Sequence, residues 1–510
     1  MPLLSPFRKK PWMRIRPDGY ISADGQRSQV FVSQYDFLQE YYPSGHRIHD
    51  VLFYPNVWRK AVFDLDDGST RERYYEEQVP RIAFGFQKLI ALKHTIHACG
   101  NDVQFDISKT DVTDEEKRLF SVFKNGWALK GMEFAVFNAV KSVLRTGDAA
   151  FVGIKMDGVF SWRTFSFLDG DELFPHYGPD GRLKVFFRRF REFDADGNLV
   201  MFCEAWDSRF YYRFRSSVSD GSDYSDDSES SGVSVCGFDM SGYVCDEVSE
   251  HGFKYVPVAY FRRSDGPCWS DINELVWEYE VAFSQMAQNN KAFGEPILVF
   301  KGDDISCVPN ELTGTIKTID MDSSSDVKYL EAQSASDSFI KQLETLYNSI
   351  FELSSTVQTP EVRSGDMPAA TFKIVYSPAY EQSFDDCNEL QPFIDDMVTI
   401  FKDGYGVETG NLIGFSNLPV SPWLKPYIHV NWSSMIADIS SAVDRGYLSR
   451  QTASERISEY AVPDEFSRLL REEEMKAARA VEFAILEEKR KRQASISSSA
   501  EDGTAAELDS

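Results

Sequence analysis

The sequence lacks the features that would place the protein in a membrane, hold it together by disulfides or mark it for export. No apolar run approaches the ~18 residues needed to cross a bilayer, and the N-terminus has no signal-peptide apolar core. The seven cysteines are scattered without a C-x-x-C pair, which favours a reducing compartment over a disulfide framework or a zinc ribbon. We therefore expect a soluble protein that is not exported by this route and contacts no membrane.

Positive charge is also scarce. The chain has 54 lysines and arginines against 80 aspartates and glutamates, which gives a net charge of −26. Such a surface repels phosphate backbones, so any contact with nucleic acid must be local. With 510 residues, of which 42% are hydrophobic and 14% aromatic, the chain is long and apolar enough for about two to four packed domains.

The first third of the chain is predicted to be helical. Apolar residues recur at helical spacing over residues 81–98, and Pro80 suits a first turn. Thr113 and Glu116 form a capping-box pattern, and Gly147 closes the helix that comes after it.

From Ala149 the hydrophobic period changes to two, which predicts an antiparallel meander of aromatic and β-branched strands. The turns are Asp-Gly pairs, which tolerate positive φ: Asp157-Gly158, Asp169-Gly170, Asp180-Gly181 and Asp196-Gly197. Residues 216–250 interrupt the meander with nine acidic residues and no lysine or arginine. We interpret this segment as a mobile hairpin extension that is too polar to pack, with an acidic metal-binding loop as the alternative.

Two amphipathic helices are predicted next, on either side of a compact segment of strand-like runs. Each has one apolar stripe, the first within residues 271–293 and the second within residues 336–357. A segment rich in helix breakers, 358–368, leads to a long helix that Pro378 and Pro392 would kink or break. Further helices follow, and the last 17 residues have the composition of a solvated tail.

One pattern suggests catalysis. In the run AVFDLDDGST, Asp64 and Asp66 resemble the phosphatase signature of haloacid dehalogenases, in which one aspartate attacks phosphorus, the other acts as acid and base, and Mg²⁺ neutralises both. That family needs a parallel sheet, whereas the following residues predict helices and an antiparallel meander. A hairpin turn is the simpler interpretation.

Nothing else in the sequence indicates a reaction centre. The pairs His46/His49 and His94/His97 have H-x-x-H spacing, but neither has the further ligands that zinc needs. The chain has no Walker loop, no G-x-G-x-x-G and no G-x-S-x-G motif. We therefore predict no catalytic residue, no metal site and no cofactor.

From about Tyr255 onward, the order of elements resembles the portal proteins of tailed double-stranded DNA bacteriophages, particularly the siphophage type. The segments that carry this resemblance are SDGPCWSDINELVWEYEVAFSQMAQNN, the strand-like runs leading to VKYL, LETLYNSIFELSSTVQTPE, SGDMPAAT before the long helix, and GYLSRQTASERISEY followed by PDEFSRLLREEE.

The resemblance implies an α+β fold with phage-portal architecture. Its parts are a wing of helices plus antiparallel β meander, a two-helix stem, a small α/β clip, a kinked tunnel helix and a helical crown. The implied boundaries are 1–266 for the wing, with its acidic insert at 216–250, 267–293 for stem helix 1, 294–337 for the clip, 338–357 for stem helix 2, 358–368 for the tunnel loop, 369–433 for the kinked tunnel helix and the return to the wing, 434–493 for the crown helices, and 494–510 for a disordered tail.

The resemblance also implies functional residues. The tunnel loop would meet DNA through Thr359, Glu361, Arg363, Ser364 and Asp366. Subunits would pack through the stem residues Ile272, Leu275, Val276, Tyr279, Phe283, Leu343, Leu346 and Ile350, because two apolar-striped helices are hard to satisfy in a monomer. The clip would dock terminase and connectors through Lys301, Asp303, Asp304 and Lys317.

The function implied by the resemblance is a ring-shaped DNA channel at the unique capsid vertex, which conducts the genome during packaging and ejection. A homo-oligomer of twelve subunits would pass double-stranded DNA and bind the terminase large subunit, head–tail connector or adaptor proteins, and the major capsid and scaffolding proteins. It would assemble in the host bacterial cytoplasm, become part of the virion and catalyse no reaction. Two alternatives stay open: a magnesium-dependent haloacid-dehalogenase-like phosphatase using Asp64 and Asp66, and a non-portal virion scaffold or adaptor subunit.

Overall fold

A computed structural model describes residues 5–15, 29–64, 70–109, 111–194, 197–216, 234–293, 297–301, 305–309, 316–321, 326–330, 336–358, 369–427, 432–458 and 465–505. Within these ranges the chain combines helices with sheets whose strand pairs are all antiparallel, which confirms the predicted α+β class. The chain divides into two compact units, Met1–Glu361 with Val375–Ile428, and Val362–Ile374 with His429–Ser510.

The N-terminal part of the first unit consists of helices and short hairpins. The elements are β1 (Trp12–Ile15), β2 (Gln29–Val32), α1 (Gln34–Tyr41), β3 (Val57–Asp64), β4 (Thr70–Glu77), α2 (Phe86–Cys99), β5 (Gln104–Ile107), α3 (Asp114–Leu129) and α4 (Met132–Thr146). Strand β1 pairs with β2, and β3 pairs with β4.

The predicted helix signals at α3 and α4 are confirmed. The hydroxyl of Thr113 accepts a hydrogen bond from the Glu116 amide, and the Glu116 carboxylate accepts one from the Thr113 amide, which completes the capping box. Gly147 ends α4 with a φ of +87°, a left-handed conformation that glycine adopts without steric cost.

Helix α2 begins at Phe86 and not at residue 81 as predicted. The amide of Ile82 donates to the Ser284 hydroxyl, and the amide of Phe84 donates to the Glu280 carboxylate. Because these partners come from another helix, residues 81–85 satisfy their amides without forming a helical turn. Apolar periodicity alone does not report such a competing partner.

The predicted meander is divided between two sheets. Its strands are β6 (Asp148–Met156), β7 (Val159–Phe165), β8 (Glu172–Tyr177), β9 (Leu183–Phe193), β10 (Leu199–Trp206), β11 (Phe210–Ser216), β12 (Ser234–Val235), β13 (Phe238–Asp239), β14 (Tyr243–Glu250) and β15 (Val258–Arg262). A three-stranded sheet has the order β15-β6-β7, and a five-stranded sheet has the order β14-β11-β10-β9-β8. At the β6–β7 turn, Asp157 and Gly158 both have positive φ, as the Asp-Gly signal predicts.

The prediction for the acidic segment 216–250 is wrong for its second half. Residues 217–233 lie outside the described ranges, but β14 pairs with β11 along the edge of the five-stranded sheet. Val235 and Met240 are buried in one cluster with Phe214. A few apolar side chains are enough here because the neighbouring strand supplies the main-chain hydrogen bonds.

The central part of the chain contains two long helices and the strands between them. These elements are α5 (Asn273–Phe293), β16 (Ile297–Lys301), β17 (Ile305–Pro309), β18 (Ile316–Met321), β19 (Asp326–Leu330) and α6 (Ser336–Leu353). Strand β16 pairs with β19, and β17 pairs with β18. The clip was expected to be α/β, but its described residues form only antiparallel strands, because its short β-branched runs are separated by gaps too short for a crossover helix.

The C-terminal part is mainly helical. Its elements are α7 (Ala369–Glu408), α8 (Leu412–Asn417), β20 (Val420–Trp423), α9 (Trp432–Asp444), α10 (Arg450–Ser458) and α11 (Glu465–Ala505). Helix α7 continues through Pro378 and Pro392, each of which removes one main-chain hydrogen bond without ending the helix. Helix α11 also continues to Ala505, beyond the predicted disordered tail from residue 494, because extending a formed helix costs far less than nucleating one.

The largest hydrophobic core of the first unit joins α3, α4 and α7 to the three-stranded sheet. Val136 and Val140 of α4, Phe151 of β6, and Phe393 and Phe401 of α7 are almost completely buried in it. Strand β20 pairs with β5, which connects the segment after α7 to the helices near the N-terminus. The long helix is therefore held along much of its length by contacts within the first unit.

Candidate functional site

Helices α5 and α6 form an antiparallel pair, which we call the stem pair. The start of α5, at Ile272 and Val276, lies in the same hydrophobic cluster as Ile350 and Phe351 near the end of α6. At about 1.5 Å per residue, the 21 residues of α5 extend roughly 31 Å. The pair can therefore carry the strands β16–β19 well away from the base where it is anchored.

The predicted stem residues pack mainly within one chain. Ile272, Val276, Leu343 and Ile350 are buried, while the others are partly exposed: Leu275, Tyr279, Phe283 and Leu346. The cluster around the base of the pair also contains residues of α1 and α2. At the base of the pair, the chain's own N-terminal helices cover Ile272, Val276 and Ile350, so this part of the stripes is buried within one chain, contrary to expectation. Packing between subunits through the stem residues stays a prediction.

Aromatic rings fill the base of the stem pair. Phe84 lies edge-on to Tyr279 and Phe283 of α5, with ring centroids 5.1 Å apart in both contacts. Phe86 of α2 contacts Tyr279 at 5.3 Å and Tyr347 of α6 at 5.9 Å. Edge-to-face pairs of this kind add to the free energy of burial and fix the helices in rotation.

A buried carboxylate interrupts the apolar stripe of α5. Glu280 is 1% exposed, and its Oε1 lies 2.7 Å from Nδ1 of His46 and accepts a hydrogen bond from the Phe84 amide at 2.8 Å. The other ring nitrogen of His46 donates to the Glu40 carbonyl oxygen. Glu280 thus joins α5 to the segment after α1 and to the segment before α2.

A second buried polar group lies beside the end of the stem pair. Nε2 of His94, on α2, donates to the Ser354 carbonyl oxygen at 2.9 Å, just after α6 ends. Its Nδ1 lies 3.5 Å from Oδ2 of Asp386, on α7. Arg263 pairs with the other oxygen of Asp386 at 3.0 Å and with Glu389 at 3.1 Å. We call His94, Asp386 and Arg263 the α7 anchor.

The α7 anchor has a defined charge state. Burial alone would raise the pKa of Asp386, but the adjacent ring of His94 and the positive charge of Arg263 outweigh it and hold this pKa below its ordinary value. The ionised carboxylate therefore holds α2 and the segment after β15 to α7. Because His94 also donates to Ser354, this one side chain contacts both the segment that follows α6 and helix α7.

Several predicted site residues fall outside the described ranges. These are the tunnel-loop residues Thr359, Glu361, Arg363, Ser364 and Asp366, and the clip residues Asp303 and Asp304. Lys301 ends β16 opposite Asp326, and Lys317 lies in β18, so the two lysines belong to different two-stranded sheets.

The enzyme and metal candidates do not form a site in the described chain. Asp64 ends β3 opposite Thr70 of β4, so the motif lies on an antiparallel hairpin and not after a parallel strand, while Asp66 lies outside the described residues. His46 is buried against Glu280, whereas His49 is exposed. Across the described ranges, no group of three or more His, Cys, Asp or Glu side chains could hold a metal ion.

Sequence reasoning missed Glu280, His94 and Asp386 as structural anchors. Glu280 had a signal, because a carboxylate four positions after Val276 falls on the buried face of an amphipathic helix. His94 was noticed only through its H-x-x-H spacing. Asp386 had no local signal as an anchor, since the partners that make it one, His94 and Arg263, are more than 100 residues away in sequence.

Comparisons with known proteins identify the family. The family model for phage portal proteins of the SPP1 Gp6-like type matches residues 25–479. The chain therefore belongs to the SPP1 Gp6-like family of phage portal proteins, which are structural components of bacteriophage particles. This confirms the resemblance on which the sequence analysis depended.

Other comparisons add little. No curated protein matches the chain. Among solved structures, a chain described as the neck of an empty GTA particle computed with C6 symmetry matches with 12% identity and a TM-score of 0.37. The match covers 73% of this chain and 87% of that chain. In the parts of the chain that the structure describes, no helix has the length and hydropathy to span a bilayer.

Proposed function

We propose that twelve copies of this chain form a ring at the unique vertex of a phage capsid, and that DNA passes through the ring during packaging and ejection. The observation that carries the proposal is the match of the SPP1 Gp6-like portal family over residues 25–479. The stem pair supports it, because two antiparallel helices rigidly anchored at one end suit the wall of a channel. In this assignment α5 and α6 are the stem, β16–β19 the clip and residues 358–368 the tunnel loop.

The charge of the chain supports passage of DNA over tight binding of it. A protein that neutralised many phosphates would release and recapture counterions at every step along the duplex, and a net charge of −26 avoids this. Within 358–368, Arg363 is the only cation in the sequence and is flanked by Glu361 and Asp366. A single arginine in this setting would make a weak, reversible phosphate contact.

The partners in this proposal are those that a portal vertex needs. The terminase large subunit would dock on the clip during packaging, and head–tail connector or adaptor proteins would replace it later, with Lys301, Asp303, Asp304 and Lys317 as candidate contacts. Major capsid and scaffolding proteins would surround the ring, which would assemble in the host bacterial cytoplasm before joining the virion. ATP hydrolysis would belong to the terminase, and this chain would catalyse no reaction and need no cofactor.

Negative-stain electron microscopy and light scattering of the purified chain test the proposal. We expect rings with a central hole and a mass near twelve times 58.1 kDa, or about 697 kDa. A neighbouring copy number would still support a ring, since closed heterologous contacts can tolerate one subunit more or fewer. A protein that is monomeric in every salt condition would contradict the proposal and favour a scaffold or adaptor subunit. Magnesium-dependent phosphatase activity that disappears in Asp64→Asn would favour the enzyme instead.

A further inference from the structure

The hairpin β3–β4 has no covering partner in the described chain. It is a two-stranded sheet that no third strand joins, with eight residues in each strand. Trp58 is 68% exposed, Tyr74 61% and Tyr75 45%. A two-stranded hairpin that leaves large side chains in water is at best marginally stable. By the register of the two strands, Tyr75 lies on one face of the hairpin and Trp58 and Tyr74 lie on the other. Each face therefore has aromatic area that is available to a contact in an assembly.

The hairpin is attached at its open end to α5, near the C-terminal end of that helix. The Glu76 carboxylate accepts a hydrogen bond from Asn56 at 2.9 Å, and Glu77 pairs with Lys291 of α5 at 3.4 Å. From this end the two strands extend to Asp64 and Thr70, roughly 23 Å at 3.3 Å per residue. The hairpin therefore starts beside the C-terminal end of its own α5.

The strand register sorts the charges of the hairpin between its two faces. Arg71 and Arg73 occupy the same face as Tyr75 and Glu77, and Glu77 is already paired with Lys291; Lys60, Glu72 and Glu76 occupy the other face. The side chains of Arg71 and Arg73 are exposed and have no ion-pair partner among the described residues. In a chain of net charge −26, this pair of exposed arginines is a local positive surface.

A complementary surface lies on α6. Its exposed side carries Asp337, Glu344 and Glu352, with Lys341 as the one cation among the described side chains of this helix. Within the described ranges, none of these three carboxylates has an ion-pair partner. Ile340 and Tyr347 of the same helix are also partly exposed. Helix α6 therefore offers both acidic groups and apolar area.

We propose that the basic face of the β3–β4 hairpin docks on the acidic exposed face of α6 in the neighbouring copy of this chain. The inference rests on the proposed ring. The two surfaces differ, so the contact is heterologous and can repeat around a closed ring. Arg71 and Arg73 pair with the α6 carboxylates, while Tyr75 covers the apolar part of the helix. Duplex DNA could neutralise the arginines but offers no exposed apolar surface for the tyrosine, which favours a protein partner.

Charge reversal on the full chain tests the docking. We expect Arg71→Glu with Arg73→Glu to reduce the fraction of ring about tenfold or more, since like charges across an interface are strongly disfavoured. Glu344→Arg with Glu352→Arg should do the same, and the combined four-fold variant should recover assembly. The matched control is Arg118→Glu with Lys124→Glu, which changes the net charge equally on the exposed side of α3 and should assemble normally.

Cross-linking provides a second measurement that does not depend on charge. In a Cys236→Ser background, which removes an exposed thiol, chains with Tyr75→Cys and chains with Lys341→Cys are co-expressed with different tags. A short bis-maleimide should join the two kinds of chain, and neither kind alone should form a linked dimer. Absence of the mixed product in assembled rings would overturn the proposal.

The remaining outcomes separate this interface from the ring itself. A wild-type chain that never assembles overturns the ring and the interface together. Normal rings of the chain with Arg71→Glu and Arg73→Glu overturn only the interface. Failure of the combined four-fold variant to recover assembly also overturns only the interface. If the hairpin variant forms normal rings but loses retention of duplex DNA in a filter-binding assay, the hairpin is a DNA contact and the proposed occupant is wrong.

Discussion

At the scale of residues, single buried polar groups determine how the elements near the stem pair are arranged. Glu280 and His94 each contact segments that are distant in sequence, and each is almost completely buried. Removing one partner from such a contact leaves another polar group buried without a hydrogen bond, which costs more than the bond itself contributed.

The first prediction concerns the α7 anchor. His94→Ala leaves the Ser354 carbonyl without the donor at 2.9 Å and removes the histidine from Asp386, so local opening should become easier by about 2 kcal/mol. Hydrogen exchange should accelerate in residues 354–358 and in the part of α7 around Asp386. His49→Ala, on an exposed ring, is the control and should change neither region. Unchanged exchange in both variants would show that His94 anchors nothing.

Another residue-level prediction concerns pH. Burial raises the pKa of Glu133 to about 7, against the opposing hydrogen bonds from the Val103 amide and the Trp127 indole. Because the folded state binds this proton more tightly than the unfolded state, its stabilising contribution is complete below pH 4.5 and is lost as pH rises through about 7.

Glu133→Gln should therefore make the decline of melting temperature across this pH range shallower. Some decline should remain, since burial also raises the pKa of Asp171 to about 6, with Arg188 opposing it. Glu115→Gln, on the exposed side of α3, should retain the wild-type profile. A decline in Glu133→Gln as steep as that of wild type, or steeper, would contradict the assignment.

At the scale of elements, the composition of residues 216–250 predicted a segment too polar to pack, but its second half packs because the edge of a sheet can pair with a polar strand. We expect that replacing residues 217–233 with a short glycine-containing turn will leave a soluble, assembling protein. Removing residues 234–250 instead deletes β14 and the buried Val235 and Met240, at a cost of several kcal/mol. Sedimentation and thermal unfolding compare the two deletions, and equal behaviour would mean that β14 contributes no stability.

At the scale of the whole molecule, the excess of acidic residues governs how the chain can meet DNA. Arg363→Glu, or deletion of residues 361–365, should preserve rings and their incorporation into proheads but impair packaging or retention of the genome. The measurement is the length of packaged DNA in particles that carry the variant ring. Arg118→Glu is the matched control, with the same change of charge on an exposed helix. If particles with either variant retain full-length genomes, residues 358–368 do not contact the DNA.

Local sequence patterns determined much of this protein. The capping box at Thr113, the glycine that ends α4, the Asp-Gly turns and the two apolar-striped helices all depend on neighbours a few residues away, so they could be predicted. The order of these elements was also sufficient to recognise the portal family, which the match over residues 25–479 confirms.

Only the tertiary structure decided what covers the stem stripes, where α2 begins and how β14 is held. In each case the deciding partner is remote in sequence: α1 and α2 cover Ile272 and Val276, the Glu280 carboxylate takes the Phe84 amide, and β11 pairs with β14. Local periodicity shows that a face must be buried or an amide satisfied, but it does not identify the partner. That choice depends on which distant groups the folded chain brings within hydrogen-bonding or van der Waals distance.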